Sequence, residues 1–287
     1  MYFRQYISRL PKVATLQIIF AHCNCLLYYC LPMKKTKTIK IVKPSQPTDL
    51  EYIKMFDDCV IDPTKIGTID KVIDDHISSS RNRYTDISNL VVGNPLVKPL
   101  ASNFGSHSLF DSASSPDSKP TYVALNSGQP GAFEDSFVGG SSKIPWYFIA
   151  CAHYLECSFD FKKHLHNGDP LSGYTIRVPA NRPKVGHGPP FTFEESAVDA
   201  LKLMKLNEIT NWNLPTVLRK LEAYNGFGYF KYHSVNSPYL WSYSNQYKKG
   251  KYVADGKFDA EAVSKQMGAA VILKRMEQRT LIYIPRH

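Results

Sequence analysis

The stretch from His153 to Thr175 holds three residues whose types and spacing suit acid–base chemistry: Glu156, Asp169 thirteen positions later, and Thr175 six beyond that. Glu156 closes the run "IPWYFIACAHYLE", which is otherwise almost wholly apolar. A carboxyl at the end of a buried helix is poorly solvated and lies near the negative end of the helix dipole. Both effects favour its protonated form, which is how a general acid is made. Glycosidic bond cleavage needs such a donor for the leaving oxygen, and a second negative group or a bound water to resolve the oxocarbenium-like transition state. Asp169, read as lying in an exposed turn, is the type of residue that stays ionised. Thr175, on the segment that follows, would hold a water by its hydroxyl. The plain alternative is a polar helix-end residue and an Asp-Pro turn without chemistry, since both are common.

The elements that must position these residues read as mostly helical. Thr48 and Glu51 form a capping box before "DLEYIKMFD", with Leu50, Ile53 and Phe56 on one face. Asp62 and Pro63 open a second, longer helix in which Ile66, Ile69, Ile73 and Ile77 recur at helical spacing. The run that ends at Glu156 starts at Pro145 and is apolar nearly all round, which marks a buried central helix. Beyond it, "YTIRV" alternates as a strand does, so a small hairpin with long loops is expected there. Thr192 with Glu195 caps another helix, and Pro215 opens one that Gly226 ends. Asp259 is expected to cap "AEAVSKQMGAAVILKRM", with Val263, Met267 and Ala270 on its buried side.

The 287 residues, 43% hydrophobic and 13% aromatic, suffice to bury a real core. Four stretches are distinguished. Residues 1–47 form a basic and apolar N-terminal segment, and 48–85 the helical first part of a catalytic domain. Residues 86–143 form a Ser-, Gly- and Pro-rich insertion without sustained periodicity, and 144–287 the rest of the domain. Of the net charge of +10, eight basic residues and no acid fall before residue 49, which leaves +2 for the remainder. A basic nucleic-acid-binding face is therefore not expected, although a mildly basic chain is drawn to an anionic polymer such as a bacterial wall. Val13–Leu31 is apolar with interruptions at Gln17, His22 and Asn24. It reads as a signal peptide, a weak membrane anchor or sequence upstream of a true start at Met33. Periplasmic, secreted or wall-directed placement follows from the first reading, membrane association from the second, and a cytoplasmic protein awaiting release from the third. The six cysteines contain no C-x-x-C pair, so neither a zinc knuckle nor a disulfide scaffold is indicated.

From about Asp49 to Met276, leaving out the Ser-rich stretch, the chain resembles bacterial and phage cell-wall hydrolases of the lysozyme-like superfamily. The resemblance is carried by "IPWYFIACAHYLECS", "HLHNGDPLSGYTIRVPANRPK", "PPFTFEESAVDALKL", "LEAYNGFGYFKYH", "SPYLWSYSNQYKKGKYVADGKF" and "AVSKQMGAAVILK". It implies an α+β, mainly α fold: a helical body with a small β-hairpin lobe, and Glu156 as the catalytic acid just before that hairpin. Asp169, five residues and Thr175 repeat the second half of a phage-lysozyme pattern, with a longer gap after the glutamate. "AYNG" at 223–226 is similar to the Ala-Tyr-Asn motif of lytic transglycosylases, which brings Tyr224 and Asn225 to the site. The Gly-Leu-Met-Gln motif of those enzymes is absent, and Cys157 stands where they usually carry serine, so hydrolysis and intramolecular transglycosylation both stay open. His166, Asn167, Tyr243, Asn245 and Gln246 complete the expected sugar-binding set; the alternative for the aromatic segments is core packing.

Two other chemistries compete. A cysteine peptidase would pair Cys151 or Cys157 with His153, His164, His166 or His233, yet Cys157 lies at a helix C-terminus, where the dipole raises a thiol pKa. A metal site from His153, His164, His166 and Asp169 matches no zinc spacing. The expectation is thus a muramidase-like glycoside hydrolase that acts as a monomer on peptidoglycan glycan strands, between N-acetylmuramic acid and N-acetylglucosamine, with no cofactor and no metal. The runner-up is an inactive wall-binding or structural protein on the same scaffold, which the long insertion favours and the buried acid disfavours.

Overall fold

Thr48 and Glu51 close the capping box that their spacing predicts, and helix α1 runs over Asp49–Asp57 in the computed structural model, which describes residues 46–93 and 143–287. Tyr52 and Phe56 are buried from it, whereas Leu50, expected on the same face, is 75% exposed. Leu50 lies about 200° around the helix from Tyr52, on the side turned away from the body. Asp62 accepts from the Thr64 N–H at 2.9 Å and, with Pro63, opens a 3-10 turn, Pro63–Lys65, that leads into α2, Ile66–Val72. The chain then widens into a π-helical turn, Ile73–Ser78. A four-residue spacing drifts about 40° per step on an α-helix. The wider turn takes that drift back, and Ile69, Ile73 and Ile77 all end fully buried.

Helix α3 spans Arg81–Val91, so the first helical part runs past residue 85 into the stretch read as an insertion. Residues 94–142, and with them nearly all of that insertion, lie outside the described residues, as does the apolar N-terminal segment. Helix α4, Trp146–Cys157, forms the centre: it packs against α3, against α6, Leu214–Ala223, and against α8, Ala269–Gln278. Its residues from Tyr147 to Cys157 are buried apart from Tyr154, as an apolar circumference requires. Helix α5, Phe193–Leu203, lies against α3 and carries the second capping box, Thr192 with Glu195. Among the described residues no helix is long and apolar enough to cross a membrane.

The strand assignment is corrected by the structure. Residues 174–178 form no ladder; the sole regular sheet among the described residues is antiparallel, β1 Lys251–Ala254 with β2 Lys257–Asp259. Pro179 and Pro183 supply no N–H to extend a ladder, and only the Thr175 N–H to Arg182 carbonyl and Asn181 N–H to Thr175 carbonyl bonds form there, at 2.9 and 2.8 Å. Burial does not alternate either: Tyr174, Ile176, Arg177 and Val178 are all exposed, and within this run Thr175 alone is buried. The short helix α7, Pro238–Trp241, precedes the sheet. The last helix also starts later than expected. Asp259 caps only a turn, accepting the Glu261 and Ala262 N–H groups, and Val263 is exposed. Helix α8 begins after Gly268, and Met267 and Ala270 are buried as expected. Gly268 can stand there because its N–H reaches the Ser242 carbonyl at 3.1 Å where the two backbones nearly touch.

Candidate active site

Glu156 occupies the last turn of α4, and the helix ends one residue later, at Cys157, because the backbone turns left-handed at Ser158 (φ 52°) and Phe159 (φ 64°). Two consecutive non-glycine residues in that region are costly, on the order of 1 kcal/mol each. Burial of Phe159 offsets this: its ring stacks on His76 at 5.0 Å and on Tyr154 at 5.2 Å. The following loop folds back beneath the helix end. His164 N–H bonds the Asp169 carbonyl at 2.7 Å, Gly168 N–H the His164 carbonyl at 2.8 Å, and Cys157 Sγ donates to the His164 carbonyl at 3.3 Å.

Gly168 is what lets this loop approach. Its φ is +74°, and a Cβ there would stand 2.7 Å from the Glu156 carbonyl oxygen. Gly168→Ala is therefore expected to cost about 2 kcal/mol of stability, from left-handed strain and displacement of the α4 terminus together. Denaturant unfolding measures it, and an unchanged midpoint would show that the loop does not lean on Glu156.

A cleft of about 600 Å³ opens at this point, lined among others by Glu156, Ser158, Lys163, Asn167, Arg177, Tyr239 and Lys265. Burial pushes the Glu156 carboxyl up to about 7, with Arg177 pulling the other way. That is the state a general acid needs near neutral pH. Tyr239 and the fully enclosed Tyr224 lie close enough to feel the Glu156 charge; burial, then Glu156, raises both phenols.

Asp169 is not in an exposed turn: it is buried and does not line the cleft. Its Oδ2 accepts the Ile176 and Arg177 N–H groups at 2.9 and 3.0 Å, and its Oδ1 accepts Arg177 Nε at 2.7 Å. Burial alone would raise its pKa, but these donors outweigh it and hold the carboxyl below its usual range. It is ionised, as expected, but its charge is spent on Arg177, whose guanidinium then lines the cleft. Thr175 is likewise committed: its hydroxyl donates to the Pro179 carbonyl at 2.5 Å and accepts from Arg182 N–H at 3.0 Å, so it shapes the loop instead of holding a water.

The expected binding residues divide. Asn167 lines the cleft and braces it, its Nδ2 donating to the Arg177 carbonyl at 2.9 Å. Tyr224 is buried beside Glu156 but does not line the cleft, and neither does Asn225, whose N–H bonds the Glu222 carbonyl at 3.0 Å. Tyr243 donates to the Lys265 carbonyl at 2.6 Å and so supports the wall from outside. Asn245 is a staple, exchanging bonds with Val60 and Asp58, and Gln246 bonds through its backbone to Asn236 and Ser244. His166 is buried between Ser196 Oγ at 3.2 Å and Asp199 Oδ2 at 2.8 Å.

Ser196, His166 and Asp199 thus form a serine–histidine–aspartate row, but it is structural. Ser196 is fully buried and its Oγ also accepts the Leu165 N–H at 3.1 Å and bonds His164 Nδ1 at 2.9 Å. No substrate reaches that oxygen. The cysteine reading fares no better, since Cys151 and Cys157 are buried and desolvation pushes both thiols up. Among the described residues no three His, Cys, Asp or Glu side chains converge as metal ligands. His153 bonds Tyr84 at 2.9 Å amid the rings of Phe159, Phe161 and Phe193.

Sequence reasoning missed Arg177, Lys163, Lys265 and Gln266 as cleft residues, and Glu222. Arg177 is exposed and reaches the cleft because Asp169 holds its guanidinium, a pairing that local sequence does not signal. Lys265 and Gln266 carried no signal, because their segment reads as helix and is irregular. Glu222 packs α6 onto α1, accepting Tyr52 Oη at 2.5 Å, and burial raises its carboxyl to about 7. Family models, curated proteins and solved structures, compared in turn with this chain, yielded no significant match.

Proposed function

We propose that the cleft cleaves the glycan strand of peptidoglycan at the β-1,4 bond between N-acetylmuramic acid and N-acetylglucosamine, with Glu156 as general acid on a lysozyme-like scaffold. One observation carries the reading: a carboxyl held neutral by burial up to about pH 7 opens onto a cleft large enough for a sugar chain. Glu156 would protonate the glycosidic oxygen and, once ionised, take a proton from the attacking nucleophile. Arg177, held by Asp169, keeps the new carboxylate from being left unpartnered.

The source of that nucleophile is narrowed by a second observation. Glu156 is the sole carboxylate among the described residues that line the cleft, so the paired-carboxylate arrangement of a two-acid glycosidase has no counterpart here. This favours attack by the sugar's own C6 hydroxyl, giving 1,6-anhydro ends, over a double displacement through Asp169. Product analysis separates the two: anhydro ends support the intramolecular route, and reducing ends support water.

The pH dependence follows from the same carboxyl. Its pKa is raised, so the active, protonated form is complete below the ordinary glutamate range and is lost as pH rises through about 7. The Asp169–Arg177 pair, whose carboxyl is depressed, persists down to below the ordinary aspartate range. Release of soluble fragments from purified walls is expected to fall about tenfold per pH unit above 7 and to change little between pH 5 and 6. A rate that rises steadily with pH through this window would contradict the acid role.

A further inference from the structure

The cleft that holds Glu156 carries positive charge on its walls. Lys163, Arg177 and Lys265 line it, with the amides of Asn167 and Gln266 between them. Arg177 is neutralised from behind by Asp169, at 2.6 Å, and its side chain is still 56% exposed. Lys163 shares an open, 3.5 Å contact with Asp160. Lys265 is exposed and, among the described residues, makes no ion pair. Because the chain beyond residue 48 carries a net charge of only +2, this concentration does not reflect a generally basic body. Three cations around one space, with Glu156 the sole carboxylate among the described residues that line it, give a field that attracts anions and is stronger inside a concave, low-dielectric surface than on an open one.

Resting on the glycan-cleaving reading above, we propose that the cleft selects strands bearing free carboxylates and discriminates against the same strands with those groups amidated. The geometry gives each cation a part. Arg177 is fixed by two bonds to Asp169 and by the Asn167 bond to its own carbonyl, so its outer N–H groups are pre-aimed for a planar carboxylate. Lys163 and Lys265 stand on separate segments of the lining, as flexible point charges for a group whose position varies. The strand proposed as substrate carries such groups on its peptide stems, whereas an amidated stem offers neutral donors that meet three other donors.

The test uses the full chain on purified peptidoglycan and on the same material after carbodiimide coupling of its carboxyls to methylamine, with release of soluble fragments as the readout. Amidation is expected to lower the rate about tenfold at low salt, and added salt to shrink that difference because partly exposed charges are screened. Lys265→Gln is expected to narrow the native-to-amidated ratio to about twofold. Equal rates on the two polymers would overturn the selectivity while leaving the cleavage reading intact. Cleavage of neither polymer by folded protein would remove both.

Discussion

Glu156→Gln is expected to lower glycan cleavage by about three orders of magnitude without unfolding the protein. The amide matches the carboxyl in shape, and the carboxyl is already neutral over the pH range in which the site works, so the substitution removes the transferable proton and little else. Stability supplies an internal control. A carboxyl whose folded pKa is raised above its unfolded value contributes stability that is complete below the unfolded pKa and is lost as pH rises through the folded one. The parent should therefore weaken between about pH 5 and pH 8, with Glu222 adding a second contribution of the same sign. The glutamine variant should melt close to the parent at pH 5 and above it at pH 8. A variant that lost activity and also melted lower at both pH values would have lost its fold, and the acid assignment would lose its support.

Gly268→Ala is expected to cost about 3 kcal/mol, near the top of the usual range for overpacking. The backbone conformation of Gly268, φ −77° and ψ 138°, is open to any residue, so alanine meets no conformational strain there. Space alone forbids it. A Cβ would lie 2.1 Å from the Leu240 carbonyl oxygen, 2.5 Å from its carbon and 2.8 Å from the Trp241 nitrogen, all backbone atoms that no rotamer change can clear. Since α8 also packs on α4, separating α7 from α8 would loosen the support of the helix that carries Glu156. Denaturant unfolding of the variant checks this, and a midpoint equal to the parent's would mean that the two helices are not in backbone contact.

How far the sequence disclosed this arrangement depends on the range over which each signal acts. Capping boxes are local, and both Thr48–Glu51 and Thr192–Glu195 close as their spacing implies. The apolar circumference of "WYFIACAHYLEC" is also local, and it placed Glu156 at the end of a buried helix. The failures are all decided by distant partners. "YTIRV" has the period of a strand, but Tyr174, Ile176, Arg177 and Val178 all face solvent and only Thr175 turns inward, because its hydroxyl is tied to the Pro179 carbonyl and the Arg182 N–H. Residues 260–268 have helical composition, yet they form no helix, because the Met267 and Gly268 N–H groups are claimed by Tyr154 Oη and the Ser242 carbonyl. Asp169 was identified as a charged residue of the site region, but only the fold shows that its charge holds Arg177 in place and that the residue does not line the cleft.

The most direct test of glycan cleavage is mass analysis of the soluble fraction after the full chain is incubated with purified peptidoglycan at pH 6. The account expects disaccharide fragments with intact peptide stems and opened glycan bonds, released by the parent and not by Glu156→Gln. Intact strands in the presence of protein that circular dichroism shows to be folded would contradict it, as would fragments cut only within their peptides.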